Sequence, residues 1–329
     1  MNQEIVIKVE ELSKDFKGFT AVDGLSFSVA RGEIFGFLGP NGAGKTTTVR
    51  MLCTLTRPSS GRAQVAGWDV ITEHNQVRRS IGIIFQDPSL DDRLTVRENL
   101  RFHALVYKVP KSEVRERINQ ALEWMELTNR ADDLVRNFSG GMKRRLEIAR
   151  SLLHRPEVLF LDEPTLGLDP QTRMRIWDRL LQLRHENRMT LFLTTHYMDE
   201  AEYCDRIAII DHGKIIALDT PGNLKSQLRG DRVVILTVDN RQAALEIKER
   251  YGIEVSWTPE KIQFQVADGA LFVPKLVKEL SVPVLSVVVR QPTLDDVFLK
   301  ITGREIRDSE ASEREKLKSR LQRMGRGWR

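Results

Sequence analysis

The chain has 329 residues, 41% hydrophobic and 29% charged, which is enough apolar material for a sizeable core and excludes global disorder. Its formal charge of +5 gathers at the end: residues 303–329 hold nine Lys/Arg against five Asp/Glu, so a basic tail explains the excess better than a basic binding face does. Two distant cysteines, Cys53 and Cys204, form no disulfide framework and suit a reducing cytosol. The start lacks a basic-then-apolar leader, and no window reaches the roughly 18 apolar residues of a membrane span, so any membrane role is expected to run through a partner.

In chain order, residues 5–9 and 25–29 read as strands, and 34–38 as a buried strand that runs into a glycine-rich turn. A helix is predicted over 45–55, a turn cluster at 57–61, and a strand over 81–85. Residues 96–129 carry helical periodicity and many charges. Short buried strands follow at 158–161 and 190–193, then a hairpin of 207–210 and 214–217 around Asp211-His212-Gly213. Turn residues and charges over 221–230 mark a boundary. Beyond it, strands at 233–238, 254–257, 262–266 and 284–289 alternate with helices at 242–250 and 271–280, the β-α-β-β-α-β order of a ferredoxin-like unit.

Three segments carry chemistry. Gly39-Pro40-Asn41-Gly42-Ala43-Gly44-Lys45-Thr46 matches the phosphate-loop pattern in full, between a predicted strand and a predicted helix. Its backbone N–H groups can cradle phosphate oxygens, Lys45 can reach the β- and γ-phosphates, the Thr46 hydroxyl can ligate Mg²⁺, and Thr47 can hold another phosphate oxygen. Four apolar residues, 158–161, deliver Asp162 and Glu163 at a strand's carboxyl end. Asp162 suits a Mg²⁺ site and Glu163 suits a general base on the attacking water. Phe138-Ser139-Gly140-Gly141-Met142-Lys143-Arg144-Arg145 opens a helix with free N–H groups and a hydroxyl, a second anion-binding helix start in one chain.

This set resembles the ABC ATPases, whose signature is usually written L-S-G-G-Q. Ser139, Gly140 and Gly141 match it, while Phe138 and Met142 depart from the commonest form. The resemblance covers residues 5–222 with the motifs in the family's order. It implies an α/β P-loop NTPase ABC ATPase domain with a helical subdomain over 1–222; the small α+β, ferredoxin-like domain read from the strand and helix order then spans 231–302, and the charged tail 303–329. It further implies that Gln86 is the Q-loop glutamine, touching Mg²⁺ or water. Asp169 becomes the D-loop aspartate of a dimer interface, and His196 the switch histidine at the γ-phosphate. Phe16 becomes the aromatic on adenine, with Phe19 close by. The implied cofactors are ATP and Mg²⁺. The implied partners are a second copy packed head-to-tail and a separately encoded transmembrane permease, with the chain at the cytoplasmic face of the cell membrane.

The Ser-Gly-Gly-Met-Lys-Arg-Arg-Leu form and the segment Pro292-Thr293-Leu294-Asp295-Asp296-Val297-Phe298 look like export ATPases of the daunorubicin-resistance type, which implies export of a drug, lipid or other amphipathic substrate. The rival reading is a non-transport ABC ATPase acting on nucleic acid or ribosomes. It fits less well, because the interval from Gln86 to Ser139 is too short for a long coiled coil and the chain has one phosphate loop. No nucleic-acid partner is expected. In the tail, Ser312 and Glu315 fit a capping box, and Leu317, Leu321, Met324 and Trp328 form one apolar stripe among basic residues. That pattern is a candidate for contact with a membrane surface or a partner helix.

Overall fold

The computed structural model describes residues 4–86, 89–228 and 230–303. The basic tail and its amphipathic stripe lie outside the described residues. Contacts divide the chain after Asp219, so the fold is two units.

The first unit opens with two long strands, β1 (Ile5–Phe16) and β2 (Phe19–Ala30), then β3 (Ile34–Leu38), α1 (Lys45–Leu52), β4 (Ser60–Val65), β5 (Trp68–Asp69), α2 (His74–Ser80) and β6 (Ile81–Ile84). Helices α3 (Val96–Val106), α4 (Val114–Trp124) and α5 (Gly140–Leu152) form a helical part. Next come β7 (Val158–Asp162), α6 (Pro170–Asn187), β8 (Thr190–Thr195), α7 (Met198–Ala201), β9 (Arg206–Asp211) and β10 (Lys214–Asp219). One sheet is antiparallel, in the order β2-β1-β4-β5; the other runs β10-β9-β3-β8-β7-β6 and is parallel except for β10. The strands β3, β7 and β8 are buried along their whole length, as a parallel sheet covered on both faces requires. Phe27 of β2 stacks on Phe35 of β3 at 5.4 Å, and Phe37, Phe160 and Phe192 complete the aromatic centre that joins the two sheets. Each such ring contributes on the order of 2–3 kcal/mol by leaving water.

Several elements differ from the sequence reading for local reasons. Strands β1 and β2 are twelve residues each, longer than the alternation suggested, because register shifts between Val9 and Leu12 and a positive φ at Glu11 (47°) interrupt the period of two. The charged helical stretch is two helices. Thr95 and Glu98 form a capping box that starts α3, and Lys108 (φ 55°) with Pro110 ends that run. Helix α1 stops at Leu52, with Cys53 as its cap.

Between α3 and α5, His103 and His154 flank Tyr107, with ring centroids 4.5 and 4.0 Å from it, and His154 Nε2 lies 2.8 Å from the Ile81 carbonyl oxygen. Burial, with Arg150 beside it, pushes His103 down to about 3; burial likewise pushes His154 down to about 4, the Ile81 carbonyl opposing and Arg117 assisting. Both rings are therefore neutral in the fold, while an unfolded histidine titrates near 6.5. Protons bind the unfolded chain first, so this cluster's stability is present above pH 6.5 and is lost as pH falls toward 4. His154→Phe, which keeps the stack on Tyr107, is expected to shrink the difference in melting midpoint between pH 7 and pH 4.5 by about 2 °C or more. An unchanged difference would remove His154 from the acid sensitivity.

The second unit comprises α8 (Pro221–Ser226), β11 (Asp231–Thr237), α9 (Asn240–Tyr251), β12 (Val255–Thr258), β13 (Lys261–Val266), α10 (Gly269–Glu279), β14 (Val284–Arg290) and α11 (Leu294–Thr302). Its antiparallel sheet has the order β12-β13-β11-β14, and Val233, Ile235, Ile262 and Phe264 bury one face against Ala243, Ile247 and Leu276 of α9 and α10. Helix α8 belongs to this unit and packs with α11, a helix whose capping box, Thr293 and Asp296, lies within the segment singled out in the sequence.

Candidate functional site

The site begins where β3 ends. Gly44 sits at φ 108°, and a Cβ there would lie 2.5 Å from the Ala21 carbonyl oxygen; one at Gly39 would lie 2.3 Å from that of Ile210. The turn is thus pressed against β2 and β9 so closely that only glycine closes it. It delivers the N–H groups of α1's first turn to one place, with Ala43 buried behind. Lys45 is itself buried, and its Nζ donates to the carbonyls of Gly39 (2.7 Å) and Pro40 (3.2 Å).

Strands β3, β7 and β8 end side by side: Leu38 pairs with Thr195, and Asp162 with Thr194. Thr194 Oγ1 donates to Asp162 Oδ1 (2.5 Å) and accepts from the Glu163 N–H (3.2 Å), so one hydroxyl spans both carboxylate residues. Burial pushes the Asp162 carboxyl above its ordinary value and neighbouring Glu163 adds to this, with the Thr194 and Thr46 hydroxyls and Lys45 opposing. Glu163 sits at φ 49°, the left-handed region that costs a non-glycine residue free energy, and its N–H also donates to the Thr194 carbonyl (3.0 Å). Burial opposes its ionisation, but His196, whose Nδ1 is 3.4 Å from Glu163 Oε1, and Lys45 outweigh burial and hold the carboxyl below its ordinary value. The turn turns this side chain off the strand axis into a cleft of about 740 Å³.

The cleft is lined by Asn41, Gly42, Gly44, Lys45, Thr46, Thr47, Gln86, Glu163 and His196, joined by Phe19, Leu166, Gly167 and Tyr197. Gly39, Pro40 and Ala43 form the frame of the loop rather than its lining, and Asp162 stands behind it, in contact with Thr46. Phe19 lines the cleft and Phe16 does not; Phe16 is about half exposed, with Lys14 Nζ 5.0 Å from its ring centroid. Ser139, Gly140, Gly141 and Asp169 do not line the cleft either. They gather where α5 and α6 begin. Ser139 Oγ accepts from the Met142 N–H (3.3 Å), Asp169 accepts from the Thr172 N–H (2.9 Å), and a Cβ on Gly141 would lie 2.6 Å from Thr172 Cγ2.

The sequence reading passed over three supports of this site. Thr194 is one, just beyond the strand predicted over 190–193. Glu200 is another: it is fully buried and accepts from Thr195 Oγ1 (2.6 Å) and from Thr165 Oγ1, tying the segment before His196 to the one after Glu163. The third is Arg144. The available signal for Arg144 and Glu200 was a charge at a position where the helical pattern buries its neighbours.

Residues 22–166 match the family described as ABC transporter. The linearmycin resistance ATP-binding protein LnrL of Bacillus subtilis is 40% identical over 312 residues, 92% of this chain and 100% of that protein. The daunorubicin/doxorubicin resistance ATP-binding protein DrrA of Streptomyces peucetius is 41% identical over 324 residues, 94% of this chain and 97% of that one. Among solved structures, a dimeric ATP-binding cassette in a post-hydrolysis state, bound to ADP and Pi, superposes with a TM-score of 0.60 at 27% identity, covering 65% of this chain and 98% of that chain.

Proposed function

The chain belongs to the ATP-binding subunits of ABC transporters, and we propose that two copies close head-to-tail on two ATP molecules, each held between one chain's phosphate loop and the other chain's Ser139, Gly140 and Gly141. The chain is an ATPase that powers export through a separate membrane subunit. The cargo we propose is a drug, lipid or other amphipathic molecule, in line with the resistance proteins it is similar to. The convergence of Lys45, Thr46, Gln86, Glu163 and His196 on one cleft carries this reading.

The residues divide the work by chemistry. The loop N–H groups and Lys45 bind the phosphates, Thr47 adds a hydroxyl, and Phe19 rather than Phe16 offers a ring to the base. The oxygen set of the Thr46 hydroxyl, Gln86 amide and Asp162 carboxylate fits Mg²⁺, and the Thr46 hydroxyl is near enough to Asp162 to favour its ionised form. When bound, the ion neutralises charge on the β- and γ-phosphate oxygens. Glu163, ionised and aimed into the cleft, accepts the proton of the attacking water, and His196 holds Glu163 in place and reaches the γ-phosphate.

None of the helices among the described residues is long and apolar enough to cross a membrane, so the proposed post at the cytoplasmic face of the cell membrane depends on the permease. Its docking face is the α3 side of the helical part, where Phe102 (65%), Leu105 (57%) and Val106 (58%) are exposed together. Phe102→Glu is expected to cut co-purification with the membrane subunit and transport at least fivefold, while the isolated chain's Mg²⁺-dependent ATPase rate stays within twofold of wild type. Equal loss of both would point to misfolding, and loss of neither would move the docking face elsewhere.

A further inference from the structure

The signature helix α5 does more than present Ser139. Five residues further on, Arg144 is buried (6% exposed) and its guanidinium meets backbone carbonyls of two catalytic segments. Nη1 donates to Phe85 O (2.5 Å), immediately before Gln86; Nη2 donates to Glu163 O (2.9 Å); Nε donates to Pro164 O. Glu147, 1% exposed and one turn along α5, balances the charge at 3.1 Å and accepts from the Ser89 N–H (2.9 Å). Arg150, another turn along, donates to Ser89 O and Oγ, both at 2.6 Å. One helix face thus grips the chain on both sides of Gln86 and, through Arg144, the left-handed turn that aims Glu163.

A planar fork is the group that can serve three carbonyls held in fixed directions; a lysine ammonium of the same charge cannot. We propose that Arg144 is a positioning residue for hydrolysis: it fixes the Glu163 turn and the segment leading to Gln86 to the helix that carries Ser139, so that seating the signature on the partner's nucleotide sets the geometry of this chain's own catalytic carboxylate. The proposal rests on the ATPase reading above. It adds a route by which each site senses the other: the partner's ATP at Ser139, Gly140 and Gly141 acts on α5, and α5 acts through Arg144 on Glu163. Glu147 is the counter-charge that lets the guanidinium stay buried, since an unpaired charge there would destabilise the fold.

Two variants separate positioning from plain stability. Arg144→Lys keeps the charge beside Glu147 and loses the fork. The pair Arg144→Gln with Glu147→Gln removes both charges together, so neither is left unpaired. In each, kcat for Mg²⁺-ATP is expected to fall about tenfold or more, the scale of a modest misplacement of catalytic groups. ATP affinity of the isolated chain is expected to stay within threefold and the melting midpoint close to wild type. The dependence of rate on ATP is expected to lose whatever cooperativity the wild type shows. A folded variant of either kind with kcat within twofold of wild type overturns the proposal, as does a kcat loss matched by equal loss of ATP affinity and melting midpoint, which is the mark of a merely structural ion pair. A wild-type chain without Mg²⁺-dependent turnover would instead overturn the ATPase reading on which the proposal stands.

Discussion

Glu163→Gln is expected to lower ATP turnover by at least 10²-fold, the usual loss on removing a general base, while leaving ATP binding in place. The exchange is nearly isosteric, so the left-handed backbone and the hydrogen bonds of the Glu163 N–H to Thr194 stay as they are. What goes is the negative charge. His196 and Lys45 hold that carboxyl below its ordinary value against burial, so it is a base at neutral pH and remains one into mild acid. Lys45 and the glycine loop, proposed to meet the phosphates, are untouched. ATP is then bound and not consumed, and the closed dimer should accumulate: size-exclusion chromatography with Mg²⁺-ATP should show an association that ADP does not support. Near-normal phosphate release by the purified variant would take the catalytic role away from Glu163.

How much of this was legible in the sequence follows the range of the forces involved. The phosphate loop was legible whole because its chemistry is local: Gly39 and Gly44 close one turn, and Lys45 and Thr46 open the next helix. The α/β fold was legible because buried parallel strands such as Ile34–Leu38 and Val158–Asp162 are unbroken apolar runs. The lengths of β1 and β2 were not, since bulges and a positive φ at Glu11 break their alternation. Nor was the choice between Phe16 and Phe19, which pair directly across one hairpin and of which Phe19 lines the cleft while Phe16 does not. Arg144 and Glu200 were legible only as charges at positions where the helical pattern buries the neighbours. Their partners are backbone carbonyls and hydroxyls, most of them distant in sequence, and no spacing around the charged residue names those partners.

The placement of the signature away from the cleft makes the second large effect the more diagnostic. Gly140→Asp is expected to abolish ATP-driven association and to reduce turnover by at least 10²-fold, the scale of losing one preorganised donor at a developing charge. The chain itself should tolerate the change. A Cβ on Gly140 would meet only Leu168 Cδ2, at 3.9 Å, and an acidic side chain in the first turn of α5 is favourable to the helix. Gly140 does not line the cleft built on Lys45, Glu163 and His196, so ATP binding by the isolated chain should match wild type. In the proposed head-to-tail dimer the same carboxylate would face the partner's γ-phosphate, where two negative charges in a water-poor gap repel strongly. The measurements are nucleotide affinity by fluorescence titration, and association in the Glu163→Gln background, where closure is otherwise stable. If Gly140→Asp weakens ATP binding to the single chain as much as it weakens association, the signature serves its own cleft. If it weakens neither, Ser139, Gly140 and Gly141 hold no nucleotide at all. Loss of association with binding intact is the one outcome that requires a site shared between two chains.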